Sequence, residues 1–221
     1  MLILPLFVDV AMRRYPVMNV LLILAIIVAF FSQPPADQLI RSGLVLGGAS
    51  LTGMLGHVFL HADVIHLLGN MIFLWAFGNA ICAKVGNVAY LPIFFVVALL
   101  AAIIHLVMDG APAIGASGAI NGIVGMFLIL FPRNNVACFW FVIIWGGMFR
   151  VSSYWMILLW LAFDLWGVVT GGQSVAYWAH IGGLLGGAAV AVVLLKRGYI
   201  EPLRTEETLL DIFAANGPEK R

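Results

Sequence analysis

Six runs of apolar residues, each closed by glycine, proline, asparagine or charge, dictate most of what this chain can become. They lie at about 17–31, 64–83, 88–108, 117–131, 153–169 and 175–195. A helix needs about 20 mainly apolar residues to cross a bilayer, and inside the hydrocarbon every backbone polar group must be bonded within its own segment. The chain therefore reads as all-α and polytopic, a bundle of six transmembrane helices. The breaks agree with that spacing. Ser32-Gln33-Pro34-Pro35 ends the first run, and Asp109, Gly110 and Pro112 precede the fourth. Composition excludes the soluble alternative, because 63% of the residues are hydrophobic and 10% charged, against about 25% charged in soluble domains.

A net charge of +1 provides no basic stripe for phosphates, so nucleic acid is not a partner. Membrane lipid is the expected surrounding. The two cysteines, Cys82 and Cys138, suit apolar filling better than a disulfide framework or a zinc site. Residues 1–16 carry Arg13 and Arg14 after a short apolar run, the reverse of a signal sequence, and read as a cytoplasmic or interfacial segment. Residues 17–195 form the membrane domain. Its first loop is extended, Gly-rich and broken by Asp37, Arg41 and His57, and residues 136–149 read as an interfacial loop, with a re-entrant piece as the alternative. Residues 196–221 are a cytoplasmic tail, helical around 205–213. With six helices, Arg13, Arg14, Lys84, Arg133, Arg150, Lys196 and Arg197 fall on one side and only Arg41 on the other, which places both termini in the cytoplasm. The Trp and Tyr residues at 140, 145, 154, 155, 177 and 178 suit interface anchors.

Polar groups within apolar runs are costly unless paired or facing water, so they mark candidate function. Here they are His66, Asn70, His105, Ser117, Asn121, Asp164 and His180. His66 and Asn70 are one helical turn apart and share a face. Ser117 opens the fourth helix out of a loop, so its own N–H is an unbonded helix-terminal donor. Gly118, Gly122 and Gly125 on the fourth run, and Gly183 and Gly187 on the sixth, allow close backbone approach. Packing those faces together brings Ser117 toward His180. A hydroxyl and an imidazole so paired make a nucleophile and its base, with the Ser117 N–H, Asn70 and His66 as the donors available to an oxyanion. No acid stands out as a third member, and a dyad suits a lipid setting. Asp164 is expected to have a hydrogen-bonding or interfacial role, His105 a structural one, and His57 a place in the loop. Metal hydrolysis through His57, His61 and His66 has no HExxH motif or carboxylate ligand behind it. A channel reading lacks an inverted repeat.

GASG in the fourth run, AHIGG in the sixth and HADVIHLLGNM entering the second, in that order, resemble the rhomboid intramembrane serine proteases over residues 17–195. The resemblance implies a rhomboid-like six-helix bundle in the inner membrane of a prokaryote. It implies hydrolysis of peptide bonds in or near transmembrane segments of other membrane proteins, with Ser117 as nucleophile, His180 as general base and no cofactor or metal. His66 and Asn70 would stabilise the oxyanion, Gly115 would form the turn before the serine, and Gly118, His61 and Asn121 would support the site. Position 164 is not catalytic in that family. Two departures stand out: Asn121 replaces an aromatic residue found in many relatives, and residues 32–63 contain no tryptophan. The alternative is a silent rhomboid-like protein that binds membrane clients, which normally lacks the serine or the histidine.

Overall fold

A short buried helix surrounded by longer ones organises the protein. The computed structural model describes residues 2–35, 38–39, 42–48, 50–142, 145–172 and 175–215. Its elements are β1 (Leu2–Val8), α1 (Val17–Ser32), α2 (Leu51–Gly56), a 3-10 turn (His57–Phe59), α3 (Val64–Val85) and α4 (Asn87–Met108). There follow α5 (Ser117–Leu130), β2 (Asn135–Val142), β3 (Trp145–Ser152), α6 (Ser153–Val169), α7 (Tyr177–Lys196) and α8 (Leu209–Ala215). Asp37, Arg41 and the tail residues 216–221 lie outside the described residues. The helical bundle expected from the apolar runs is present, and its helices keep to those runs within two residues at every end. Helices α3, α4 and α7, of 22, 22 and 20 residues, are long and apolar enough to cross a membrane, whereas α1, α5 and α6 are shorter apolar helices.

Eleven of the fourteen residues of α5 are buried, so this helix is the core and its neighbours are the wall. Lipid is as apolar as leucine and cannot drive helices together, which leaves close packing and polar pairing to do so. Glycine supplies the packing. A Cβ added at Gly183 would overlap the carbonyl oxygen of Gly118, one at Gly187 that of Gly122, and one at Gly125 that of Leu184. Helices α5 and α7 thus meet backbone to backbone. Gly187→Val forces them apart, and the expected cost is about 3 kcal/mol or more, since neither backbone can yield as a side chain would. Thermal unfolding in detergent checks it; a midpoint within about 2 °C of wild type would contradict this packing.

Polar pairing ties the opposite corner. Within α3 the segment Leu74–Gly78 widens into a π-helical turn, and the Leu74 carbonyl accepts from Asn19 Nδ2 of α1 at 2.9 Å. The same nitrogen donates to Asn79 Oδ1 at 2.8 Å, while the Tyr90 hydroxyl of α4 donates to Asn19 Oδ1 at 2.6 Å. Gly78 leaves the room for it, because a Cβ there would lie 2.5 Å from Asn19 Oδ1. Three helices are therefore joined by one satisfied buried network.

The strands lie where the sequence suggests a cytoplasmic or interfacial N-terminal segment and an interfacial or re-entrant loop. Within the span 136–149, expected as an interfacial or re-entrant loop, residues 136–142 belong to β2 and 145–149 to β3, which pair antiparallel, and β1 pairs antiparallel with β2 to complete a three-stranded sheet in the order β1-β2-β3. Val8 lies opposite Val136, and Asn135 opposite Ser152. The register shifts between Pro5 and Phe7, where proline has no N–H for the ladder. NVACFWFV is rich in β-branched and aromatic residues that favour a pleated surface. The tail docks instead of hanging free: Glu206 pairs with Lys84 and Glu207 with Arg133. Its helix sits at Leu209–Ala215, later than the 205–213 expected, because Thr208 and Asp211 cap it, with the Asp211 N–H donating to Thr208 Oγ1 at 3.3 Å and the Thr208 N–H to Asp211 Oδ2 at 2.9 Å.

Candidate active site

The loop from Asp109 to Ala116 delivers Ser117, and four contacts hold it. Leu46 and Ala113 exchange backbone hydrogen bonds at 3.0 and 2.8 Å, the Gly115 N–H donates to the His57 carbonyl at 2.9 Å, and His105 Nε2 bonds the Ala111 carbonyl at 2.8 Å. His105 and His57 therefore act as scaffold, as their positions suggested for His105. Buried His57 also bonds the Gly53 carbonyl through Nδ1 at 3.0 Å. Burial lowers its pKa.

Gly115 has a φ of +116°, a backbone conformation that side-chain-bearing residues rarely adopt. Its missing Cβ also matters for its neighbours. A Cβ there would lie 2.9 Å from His66 Nε2 and 3.7 Å from Asn70 Nδ2, so both side chains converge on the turn immediately before Ser117. Asp63 caps α3 by accepting from the His66 N–H at 2.8 Å, which fixes where His66 and Asn70 leave the helix. His66 Nδ1 accepts a long 3.5 Å bond from the Ala62 N–H, leaving Nε2 to carry the proton toward the turn. Asn70 is 7% exposed, and among the described residues its Nδ2 has no partner.

Across the cavity α5 meets α7, and Ser117 Oγ lies 2.9 Å from His180 Nε2. His180 Nδ1 lies 3.0 Å from Asp164 Oδ1 on α6. No acid stands out in the sequence as a third member, and of the two roles expected for Asp164, hydrogen bonding or interfacial, the structure shows the first, with the carboxylate facing the imidazole. The available signal was an acid within an apolar run one short loop before the histidine. Gly167 helps set this spacing, since its bare Cα lets the Tyr177 ring lie against α6. Asn121 Nδ2 donates to the Ser117 carbonyl at 3.0 Å, and Gly118 leaves room for Ala101 and Ala179. His61 sits beside the site with its ring 5.0 Å from that of His66. Gln33 holds its backbone, accepting from the His61 N–H at 3.2 Å and donating to its carbonyl at 2.8 Å. Burial, and then the neighbouring His66, lower the His61 pKa to about 4, so this ring is neutral at neutral pH.

His66, Asn70, Ser117, Asn121, Asp164 and His180 line a cavity of about 650 Å³ between α3, α5, α6 and α7. Phe73 of α3 and Trp160 and Phe163 of α6 form its apolar walls, and the Phe73 and Trp160 rings are 4.8 Å apart. Chemically the arrangement provides a hydroxyl with a base in contact, and donors converging on the opposite side. That is the layout of acyl transfer by a serine. Among the described residues no three His, Cys, Asp or Glu side chains are grouped to hold a metal ion.

Residues 48–197 match the family model described as the rhomboid domain. Over 151 residues, 62% of this chain, the sequence is 28% identical to rhomboid protein 1, mitochondrial, of Saccharomyces cerevisiae, of which the match covers 40%. Over 137 residues, again 62% of this chain, it is 27% identical to the rhomboid protease GlpG of Klebsiella pneumoniae, with 46% of that protein covered. The rhomboid protease GlpG of Salmonella choleraesuis is 28% identical over the same length. The match spans less than half the length of each of these relatives.

Proposed function

The chain belongs to the rhomboid family, and from that premise we propose that it is an intramembrane serine endopeptidase working through Ser117 and His180. The observation that carries the reading is the 2.9 Å contact between Ser117 Oγ and His180 Nε2, facing across one cavity the Asn70 amide nitrogen, which has no partner among the described residues. His180 takes the hydroxyl proton as Ser117 attacks the scissile carbonyl. The tetrahedral oxyanion receives hydrogen bonds from the Ser117 N–H, Asn70 Nδ2 and His66 Nε2. As the C–N bond breaks, His180 returns the proton to the leaving amine, and an ester remains on Ser117. Water, deprotonated by the same imidazole, then hydrolyses the ester and restores the hydroxyl.

Substrates on this reading are transmembrane segments of other membrane proteins. The walls of Phe73, Trp160 and Phe163 suit an apolar segment, and a helix must unwind locally there, because its bonded carbonyls are otherwise shielded from attack. Small residues at the scissile bond are part of the same proposal. The protein is an integral membrane protein, placed by this proposal in the inner membrane of a prokaryote with both termini in the cytoplasm. Catalysis uses no metal or other cofactor.

Intact-mass analysis after incubating the detergent-solubilised protein with a fluorophosphonate tests the reading without a known substrate. One adduct per chain, mapped to Ser117 and unaffected by EDTA, is the expected result. No adduct on protein shown to be folded would overturn it in favour of client binding.

A further inference from the structure

A second cavity, of about 440 Å³, lies at the end of α5 opposite Ser117, where Phe131 closes the helix. The segment before α1, the end of α3 and the segment after α7 build it together. Its cations are Arg13, Arg14 and Lys84, and its acids Glu201 and Glu206. Lys84 and Glu206 neutralise each other in a largely buried ion pair, and the same Glu206 oxygen accepts from the Leu203 N–H at 2.8 Å. Arg13 and Arg14 make no hydrogen bond or ion pair among the described residues, so Glu201 is the one remaining counter-charge in the lining. Gly86 leaves room for the Arg14 guanidinium at the end of α3, because a Cβ there would lie 2.8 Å from Nη1. From these arginines the chain runs directly into an exposed apolar stripe. Tyr15 is 87% exposed, and Val17, Leu21, Leu24 and Val28 follow at helical spacing along α1, each more than half exposed. Tyr199, in the cavity lining, is exposed as well, and tyrosine favours the boundary between membrane and water. Guanidinium forks match the oxygens of a phosphate. A free phosphate would use the arginines alone, whereas a phospholipid uses the arginines and the adjoining apolar stripe.

We propose that this cavity seats the phosphate of an anionic phospholipid headgroup, held by Arg13 and Arg14, with the acyl chains lying along the exposed stripe of α1. The bound headgroup ties the segment before α1 to the ends of α3 and α7. It sits at the opposite end of α5 from the serine, so it stands or falls independently of the protease reading. Native mass spectrometry tests it on the full chain, stripped of lipid in a neutral detergent and titrated with phosphatidylglycerol, phosphatidylcholine or inorganic phosphate. One phosphatidylglycerol per chain is expected to bind at least about tenfold tighter than phosphatidylcholine. Arg13→Gln and Arg14→Gln should each weaken it by about fivefold, and Arg150→Gln, outside the cavity, by less than about twofold. Glu201→Gln removes the opposing charge and should tighten binding, a gain that misfolding cannot imitate. Thermal midpoints of the lipid-free variants are expected to match the wild type. Should either arginine variant lose its fold, Glu201→Gln decides alone, and an affinity at or below wild type overturns the proposal. No stable adduct, equal affinity for the two lipids, unchanged binding in folded Arg13→Gln and Arg14→Gln, or an equal loss in Arg150→Gln would also overturn it. So would displacement of phosphatidylglycerol by millimolar inorganic phosphate, which would assign the two arginines to a free phosphate instead.

Discussion

Ser117→Ala and His180→Ala are each expected to reduce cleavage of a transmembrane-segment reporter in proteoliposomes by about a million-fold, to the limit of detection. Alanine at 117 removes the attacking oxygen, and no other hydroxyl among the described residues contacts His180. Alanine at 180 leaves the oxygen but removes the base, and a serine hydroxyl is not a useful nucleophile at neutral pH without one. The two losses should not add: once either member is gone the other has nothing to act on, so the double variant is expected to match the singles. Folding should survive in both, because His180 is partly exposed to the cavity and Ser117 lies at the N-terminus of α5, where alanine removes only a side chain that caps nothing. A reporter cut by either variant at more than about a hundredth of the wild-type rate would show that the attacking group lies elsewhere.

What could be read from the residues, and what could not, divides along sequence distance. Helix positions were legible because the apolar runs are long and end at strong breakers such as Pro34, Gly86 and Gly110. The meeting of Ser117 and His180 was legible because glycines recur at helical spacing on both faces, and only close packing makes use of such faces. The β1–β2 pairing was not, since the partner of NVACFWFV lies at residues 2–8, more than a hundred positions away, and the same apolar strand is indistinguishable from a short membrane-associated loop. Asn19 and Asn79 do not stand out in the sequence as candidates. Their meaning depends on the π-turn at Leu74–Gly78, whose Leu74 carbonyl accepts from Asn19, and no local pattern announces that turn. Asp164 stands out in the sequence as an acid within an apolar run, with a hydrogen-bonding or interfacial role, but its partner is set by how α6 lies on α7. A rule of costly polar groups in lipid names candidates; only packing assigns them to one another.

Asn70→Ala separates the oxyanion role from mere packing. The side chain is 7% exposed and its Nδ2 is without a partner among the described residues, although a buried amide donor usually has one. An arrangement that keeps such a donor unbonded in the resting state gains when charge develops on a carbonyl oxygen beside it. The interaction then belongs to the transition state more than to the bound substrate, so its loss should fall on kcat and leave KM nearly unchanged. Loss of one such donor typically costs about 100- to 1000-fold, and turnover should remain measurable because the proposal leaves the Ser117 N–H and His66 Nε2 as oxyanion donors. Deleting the amide also removes an unsatisfied buried group, so Asn70→Ala should be no less stable than expected for a small cavity, about 1–2 kcal/mol. His66→Ala is expected to act in the same sense, and the double variant to fall well below either single, since two donors to one oxygen partly compensate for each other. Steady-state kinetics on the transmembrane-segment reporter, run beside thermal unfolding, decide the matter. A tenfold or larger rise in KM at unchanged kcat would assign Asn70 to substrate binding and leave the Ser117 N–H and His66 as the oxyanion donors.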